Sequence, residues 1–326
     1  MFFILYIIFY LLSVQILLSL VFCREKEKLK ERLEKFTLSN PDVTNIKILV
    51  AGQIGAGKSS FINSVLSAFQ GEIVNEALAD ASESAASHSF TKTLRTYGIR
   101  SAKKVLPFEI CDIKGLEPGR ISECQPDDII NTIYGHVKEG YKFGKKSLTS
   151  DDEHYNQNPS LSDQAFCLVY VIDASTIHLT AEDKIITEKL RLIRQEISDK
   201  GIPQVVVMSK VDKACPLVKN DLKMVYKSKK IKEKMELCSS TVGVPMSNIF
   251  PVKNYHDEIN TNDNVDVLIL KALDQIVSSA DGRLRCGASN ICVFRTKTNN
   301  NSCNDKTNSI IMERRRREPA DTQIKL

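Results

Sequence analysis

The feature that most constrains this chain is a short apolar run, Ile46 to Ala51, that ends directly in Gly52-Gln53-Ile54-Gly55-Ala56-Gly57-Lys58-Ser59-Ser60. Gly52, Gly57, Lys58 and Ser59 fill every fixed position of G-x-x-x-x-G-K-[ST], in the strand–loop–helix setting that a phosphate loop requires. Glycines let the backbone curl until its N–H groups converge on phosphate oxygens, and the helix that follows adds the positive end of its dipole. Lys58 is placed to reach β- and γ-phosphates, and the Ser59 hydroxyl to ligate Mg²⁺. The residues expected to touch nucleotide are therefore the whole run from Gly52 to Ser60. Such a loop needs a parallel sheet beneath it, so the rest of the chain should alternate strand and helix.

It does so between about Thr44 and Ala280. Helical periodicity over Lys58 to Phe69 sets Phe61, Ile62, Val65, Leu66 and Phe69 on one side. Arg95–Ile99 and Val105–Ile113 read as adjacent strands across a basic turn, and Asp128–Glu139 as a helix. Ala165–Asp173 is an unbroken apolar run suited to a central parallel strand. An amphipathic helix over Thr180–Asp199 comes next, then a strand over Gln204–Ser209 and a long basic helix over Lys219–Ser239. A strand near Asn248–Val252 and a helix over Val265–Ala280 close the pattern. The fold expected is α/β: a P-loop NTPase G domain with a mostly parallel central sheet and helices on both faces.

Composition supports a folded core in a reducing compartment. Of 326 residues, 42% are hydrophobic and 26% charged, which rules out wholesale disorder. The nine cysteines are odd in number and scattered, with Cys111 and Cys167 inside apolar runs, as cytosolic thiols are. A net charge of +5 is too mild to require a nucleic acid partner.

The two ends differ from the middle. Residues 1–23 carry no charged side chain and are long enough, as a helix, to span the roughly 30 Å hydrocarbon core of a bilayer. Three readings stay open: a transmembrane anchor, a cleaved signal peptide, or an upstream start outside the working protein. Arg24, Lys26, Lys28, Lys30, Arg32 and Lys35 follow at once, which by the positive-inside rule keeps everything downstream in the cytoplasm. Residues 24–40 read as a charged helical stalk and residues 41–281 as the P-loop domain. Residues 282–326 read as a disordered basic tail, since the apolar periodicity is lost there.

A second acidic element is expected at the end of a nearby strand, and Asp112 with Gly115 three residues on supplies D-x-x-G. The carboxylate would hold the Mg²⁺ shell and the Gly115 N–H would reach the γ-phosphate. Base choice rests on Ser209-Lys210-Val211-Asp212, where a carboxylate can accept from guanine N1–H and its exocyclic amine, a pair adenine lacks. The usual form has Asn or Thr in place of Ser209, so the longer side chain that braces the phosphate loop is missing. An ordinary charged turn is the alternative reading. Lys253 and Asn254 follow a later strand and are candidates for the base edge or sugar. Thr91 is the candidate switch threonine for Mg²⁺ and γ-phosphate, with Thr93 as its alternate and a plain strand-edge threonine as the competing reading. The ligands implied are GTP or GDP with Mg²⁺, the metal held by Ser59, Thr91 and Asp112.

With these motifs, and with LRTYGIR, LPFEICDIKGL, PSLSDQAFCLVYVIDAS, VKNY and NVDVLILKALDQIV, the chain resembles the interferon-induced protein 44 family from about Asn40 to Gly282. The resemblance implies a cytosolic, interferon-responsive protein with a GTPase-like domain and a role in innate immunity. Where Ras-like enzymes carry a water-orienting Gln after D-x-x-G, this chain has Leu116, and Ile54 adds bulk near the γ-phosphate. Slow unaided hydrolysis is expected. A second copy docked across the nucleotide face could supply a catalytic group, and Glu117, Arg120 and His88 are conceivable donors within the chain. An efficient self-associating GTPase and a scaffold with a degenerate site remain the alternatives.

Overall fold

The structure is a computed structural model that describes residues 23–77, 91–102, 104–117, 124–144, 146–177 and 181–299, without the side chains of 181–184 and 287–299. The apolar run 1–22, His88, Arg120 and residues 300–326 lie outside them.

Six strands form one sheet in the order β2-β3-β1-β4-β5-β6. They are β1 (Ile46–Gly52), β2 (Arg95–Ser101), β3 (Lys104–Asp112), β4 (Cys167–Asp173), β5 (Gln204–Ser209) and β6 (Ile249–Pro251). Only β2 runs antiparallel, on β3; every other pairing is parallel. Five of the seven β4 residues and six of the seven in β1 are buried, so helices must cover both faces of the sheet. The helices are α1 (residues 23–34), α2 (Lys58–Gln70), α3 (Pro126–Ile133), α4 (Ala181–Ser198), α5 (Val211–Ala214), α6 (Pro216–Asn220), α7 (Lys229–Val242) and α8 (Asp263–Asn299). One compact unit runs to Leu284; from Arg285 a second unit begins with the remainder of α8.

This is the G-domain arrangement the motifs require. Strand order reverses around β1, with β3 on one side and β4 on the other, and ligands bind beyond the carboxyl ends of parallel strands at such a point. The register brings those ends level: Val50 lies opposite Asp112, Gly52 opposite Val171, and Asp173 opposite Ser209. Gly52 is dictated by this crowding, because a Cβ there would sit 2.2 Å from the Val171 carbonyl oxygen.

Four elements depart from the periodicity-based expectation. Helix α3 stops at Ile133, not Glu139, because Gly135 takes φ 82°. His136 N then donates to Asn131 O and Gly135 N to Thr132 O, a complete Schellman stop. The basic helix expected over Lys219–Ser239 is interrupted, because Asp221 accepts from Lys223 N and Ser228 caps a new helix through Ile231 N. Helix α8 continues past Ala280 through Gly282.

The fourth departure is the charged segment, which is not a free stalk. Leu29 and Leu33 of α1 are buried in the core. Lys26 bonds Asp263 at 2.9 Å and Asp266 at 2.8 Å, Lys30 donates to Phe69 O at 2.8 Å, and Arg32 pairs with Asp274. Ser39 Oγ donates to Asp281 at 2.8 Å. The run of charges is a docking face for α8 as much as a solvated surface. Among the described residues no helix is long and apolar enough to cross a membrane.

Candidate functional site

The site is built on the strand ends. β1 feeds the phosphate loop into α2, whose first residue, Lys58, is only 6% exposed. Its ammonium donates to Gly52 O at 3.3 Å and Gln53 O at 3.1 Å, so it lies folded into the loop it serves. Burial pushes the Lys58 pKa down, with the Asp112 charge opposing that shift. A phosphate would give this amine the negative partner that burial withholds.

Ser59, Thr91 and Asp112 converge beside it. Ser59 Oγ donates to Asp112 Oδ2 at 2.7 Å, Thr91 Oγ1 to the same oxygen at 3.2 Å, and the two hydroxyls are 3.3 Å apart. Asp112 is 1% exposed, and its Oδ1 is buried without a hydrogen-bond partner. Desolvation therefore pushes the Asp112 carboxyl pKa up, against the pull of Lys58, Ser59 and Thr91. Two hydroxyls and an under-satisfied carboxylate form a hard oxygen donor set, which fits Mg²⁺ completed by phosphate and water. Among the described residues no cluster of three or more His, Cys, Asp or Glu offers a competing metal site. Thr93, the alternate threonine, is instead engaged in an antiparallel bridge with Lys142.

That bridge belongs to a strap the sequence did not disclose. The segment around 138–144 pairs with the residues just after Thr91: Leu94 N donates to Tyr141 O, Gly140 N to Leu94 O, and Phe143 N to Lys92 O, all between 2.9 and 3.0 Å. Thr91 is thus held at the donor set by backbone pairing from an insertion following α3.

The segment after Asp112 is pressed against the phosphate loop. Leu116 N donates to Gly52 O at 2.9 Å and Ile54 N to Leu116 O at 3.2 Å, and Leu116 is fully buried. Gly115 is required there, since a Cβ would stand 2.8 Å from both Ile54 Cγ1 and Lys58 Nζ. Lys189 of α4 donates to Glu117 O at 2.9 Å, and Lys114 lies 3.6 Å from the Glu117 carboxylate. The residue at the position of a water-orienting Gln is therefore part of the core.

On the base side, Ser209 is fully buried and its Oγ lies 2.6 Å from Ala56 O and 3.2 Å from Ile172 O. Asn254 adds its amide, Nδ2 to Gly57 O at 3.0 Å. The brace that Ser209 was expected to forfeit is therefore present, divided between two side chains. Asn254 Oδ1 is left buried without a partner, and Lys253 pairs with Glu258. Lys210 takes φ 55° and bridges Gly55 O at 2.7 Å and Asp173 at 2.8 Å. Asp212 sits half-buried in the first turn of α5, two residues from that lysine. Asp173 was missed from sequence; its only signal was an acidic residue ending an apolar strand, as Asp112 does. Gln53, Ile54, Gly55, Ala56 and Ser60 lie within the loop and the first turn of α2.

No family model matches the chain. Curated relatives do: human interferon-induced protein 44 is 36% identical over 242 residues, 73% of this chain and 53% of that protein. The mouse protein of the same name is 32% identical over 73% of this chain and 56% of its own length. Human interferon-induced protein 44-like is 31% identical over 73% of this chain and 52% of its own length. The chain spans about half the length of the curated relatives it matches. Among solved structures, Toc33 from Arabidopsis thaliana in complex with Mg²⁺ and GMPPNP aligns over 81% of this chain and 94% of its own, at 15% identity and a TM-score of 0.43. On the strength of its curated relatives, this chain belongs to the interferon-induced protein 44 family.

Proposed function

We propose that this chain binds guanine nucleotide with Mg²⁺ at the carboxyl ends of β1, β3, β5 and β6, and hydrolyses GTP only slowly without help. The observation that carries the reading is the convergence of Ser59, Thr91 and Asp112 beside a buried phosphate-loop lysine. Backbone N–H groups from Gly52 to Ser60 would hold the phosphates, and Lys58 would neutralise them. Mg²⁺ would be held by Ser59, Thr91 and Asp112, and when bound it would screen phosphate charge. Lys210 would cover the base while Asp212 accepts its two donors. Slow hydrolysis follows from Leu116, a fully buried side chain with no group to orient water. A second copy across the nucleotide face is the proposed source of the missing group. A cytoplasmic innate immune role is the family-level extension of the reading; residues 1–23 are the candidate membrane attachment on their charge-free apolar length alone.

The base assignment is tested by Asp212→Asn, measured with GTP and xanthosine triphosphate. The variant should lose GTP affinity and gain affinity for the xanthine nucleotide, because the hydrogen-bond pattern at the base edge is reversed. Equal GTP affinity in variant and parent would sink the assignment.

A further inference from the structure

Residues 213–234 carry eight lysines against Asp221 and Glu233, a local net charge of +6 in a chain whose total is +5. The rest of the molecule therefore sums to about neutrality. That run is α5, α6, the turn at Leu222–Met224 and the start of α7. Val218, Val225 and Ile231 anchor it in the core. Lys213, Lys219, Lys227, Lys229, Lys230 and Lys232 are exposed. Among the described residues Lys219, Lys227 and Lys230 make no ion pair, and Lys229 and Lys232 make only loose ones, at 3.9 and 3.7 Å, within their own helix. Of five large apolar side chains exposed among the described residues, two lie in this run: Leu217 at 47% and Tyr226 at 58%.

We propose that this surface docks the protein on an anionic phospholipid membrane. Charge complementarity carries the choice of partner. A lysine is a compact, mobile point charge suited to a diffuse field of lipid headgroups, whereas planar bidentate grip on nucleic acid phosphates favours arginine, which the run lacks entirely. An exposed leucine and a tyrosine supply the apolar and amphipathic anchors that settle at a membrane interface, while a nucleic acid surface would ask for several stacking aromatics. The run begins directly after Asp212, so the membrane would lie beside the base-reading loop.

The test is co-sedimentation of the full chain with phosphatidylcholine vesicles, with and without phosphatidylserine. The quantity read is the ratio of anionic to neutral partition coefficients at lipid concentrations that leave part of the protein unbound, where any apolar contribution of the uncharged residues 1–22 cancels. Each lysine near such a surface is worth about fivefold in partitioning. Lys219→Gln/Lys227→Gln/Lys230→Gln should therefore cut the ratio at least about tenfold. Tyr226→Ser should weaken anionic binding further, and raised salt should erase the preference. Nucleotide affinity of each variant reports its fold and stands apart from the outcome. A parent ratio of one, a ratio unchanged in the triple variant, or lysine-dependent retention on RNA with none on vesicles would each overturn the proposal.

Discussion

Asp112 concentrates the energetics of the site in one side chain. Its carboxyl pKa is raised chiefly by desolvation, and one oxygen has no hydrogen-bond partner. The proton is thus bound more tightly in the folded state than in the unfolded one, so charging this residue costs the metal-free fold stability. Asp112→Asn should raise the metal-free protein's stability at neutral pH, by less than desolvation alone would give because Lys58 loses its charge partner, while abolishing the Mg²⁺ dependence of nucleotide binding. The advantage should fade as the pH falls from the raised pKa toward the ordinary value of 3.8, where the parent carboxyl also becomes neutral. Thermal melts of both proteins with and without Mg²⁺ check this; a destabilised metal-free variant would contradict it. Asp173 offers a second residue-level test, since it anchors the Lys210 ammonium at 2.8 Å. Asp173→Asn should weaken GTP binding about tenfold, the worth of one charge-assisted hydrogen bond. Unchanged affinity would mean that Gly55 O alone positions Lys210. The phosphate-loop residues and Asp112 were legible because their chemistry is local. The division of one brace between Ser209 and Asn254 was not, because it joins the last residue of β5 and a residue of the loop after β6 to Ala56 and Gly57.

At the scale of elements, periodicity found every strand among the described residues and failed where a glycine or a polar side chain ended or redirected a helix. Gly135 shows why: its stop depends on a positive φ and on Asp163 packed against its open side. A Cβ there would meet Asp163 Cβ at 2.8 Å and its carbonyl carbon at 2.9 Å. Gly135→Ala should therefore destabilise the fold by more than about 1 kcal/mol, read as a lowered denaturation midpoint at unchanged slope. The docking of α1 failed to announce itself for a different reason. Lys26 and Arg32 look solvated in sequence, yet their partners lie more than 230 positions away in α8. Burial lowers the Lys26 pKa, but hydrogen bonds and charge from Asp266 and Asp263 outweigh it and raise it overall. Asp266 in turn accepts from Tyr255 Oη at 2.6 Å, and Tyr255 N donates to Ser64 Oγ of α2 at 2.9 Å. Lys26→Met leaves Asp266 buried with that charge uncompensated and should cost about 2–3 kcal/mol. A loss below a few tenths in urea melts would show that α1 docks through Leu29 and Leu33 alone.

For the whole molecule, the central sheet gathers the candidate loops at the carboxyl ends of its parallel strands, where a guanine nucleotide is proposed to bind. Leu116 sits where the site would otherwise orient water, so turnover of dilute protein should be about 10⁻³ s⁻¹ or slower. Per-molecule rates that climb with protein concentration would support a second copy completing the site. A fast rate independent of concentration would contradict the role assigned to Leu116.

The most direct measurement is a titration of the full chain with fluorescent GTP, GDP and ATP in Mg²⁺, beside Lys58→Ala. GTP and GDP should bind, ATP should bind weakly or not at all, and all three should be lost in the variant. Binding without preference between guanine and adenine, or none at millimolar nucleotide, would contradict the proposed guanine site.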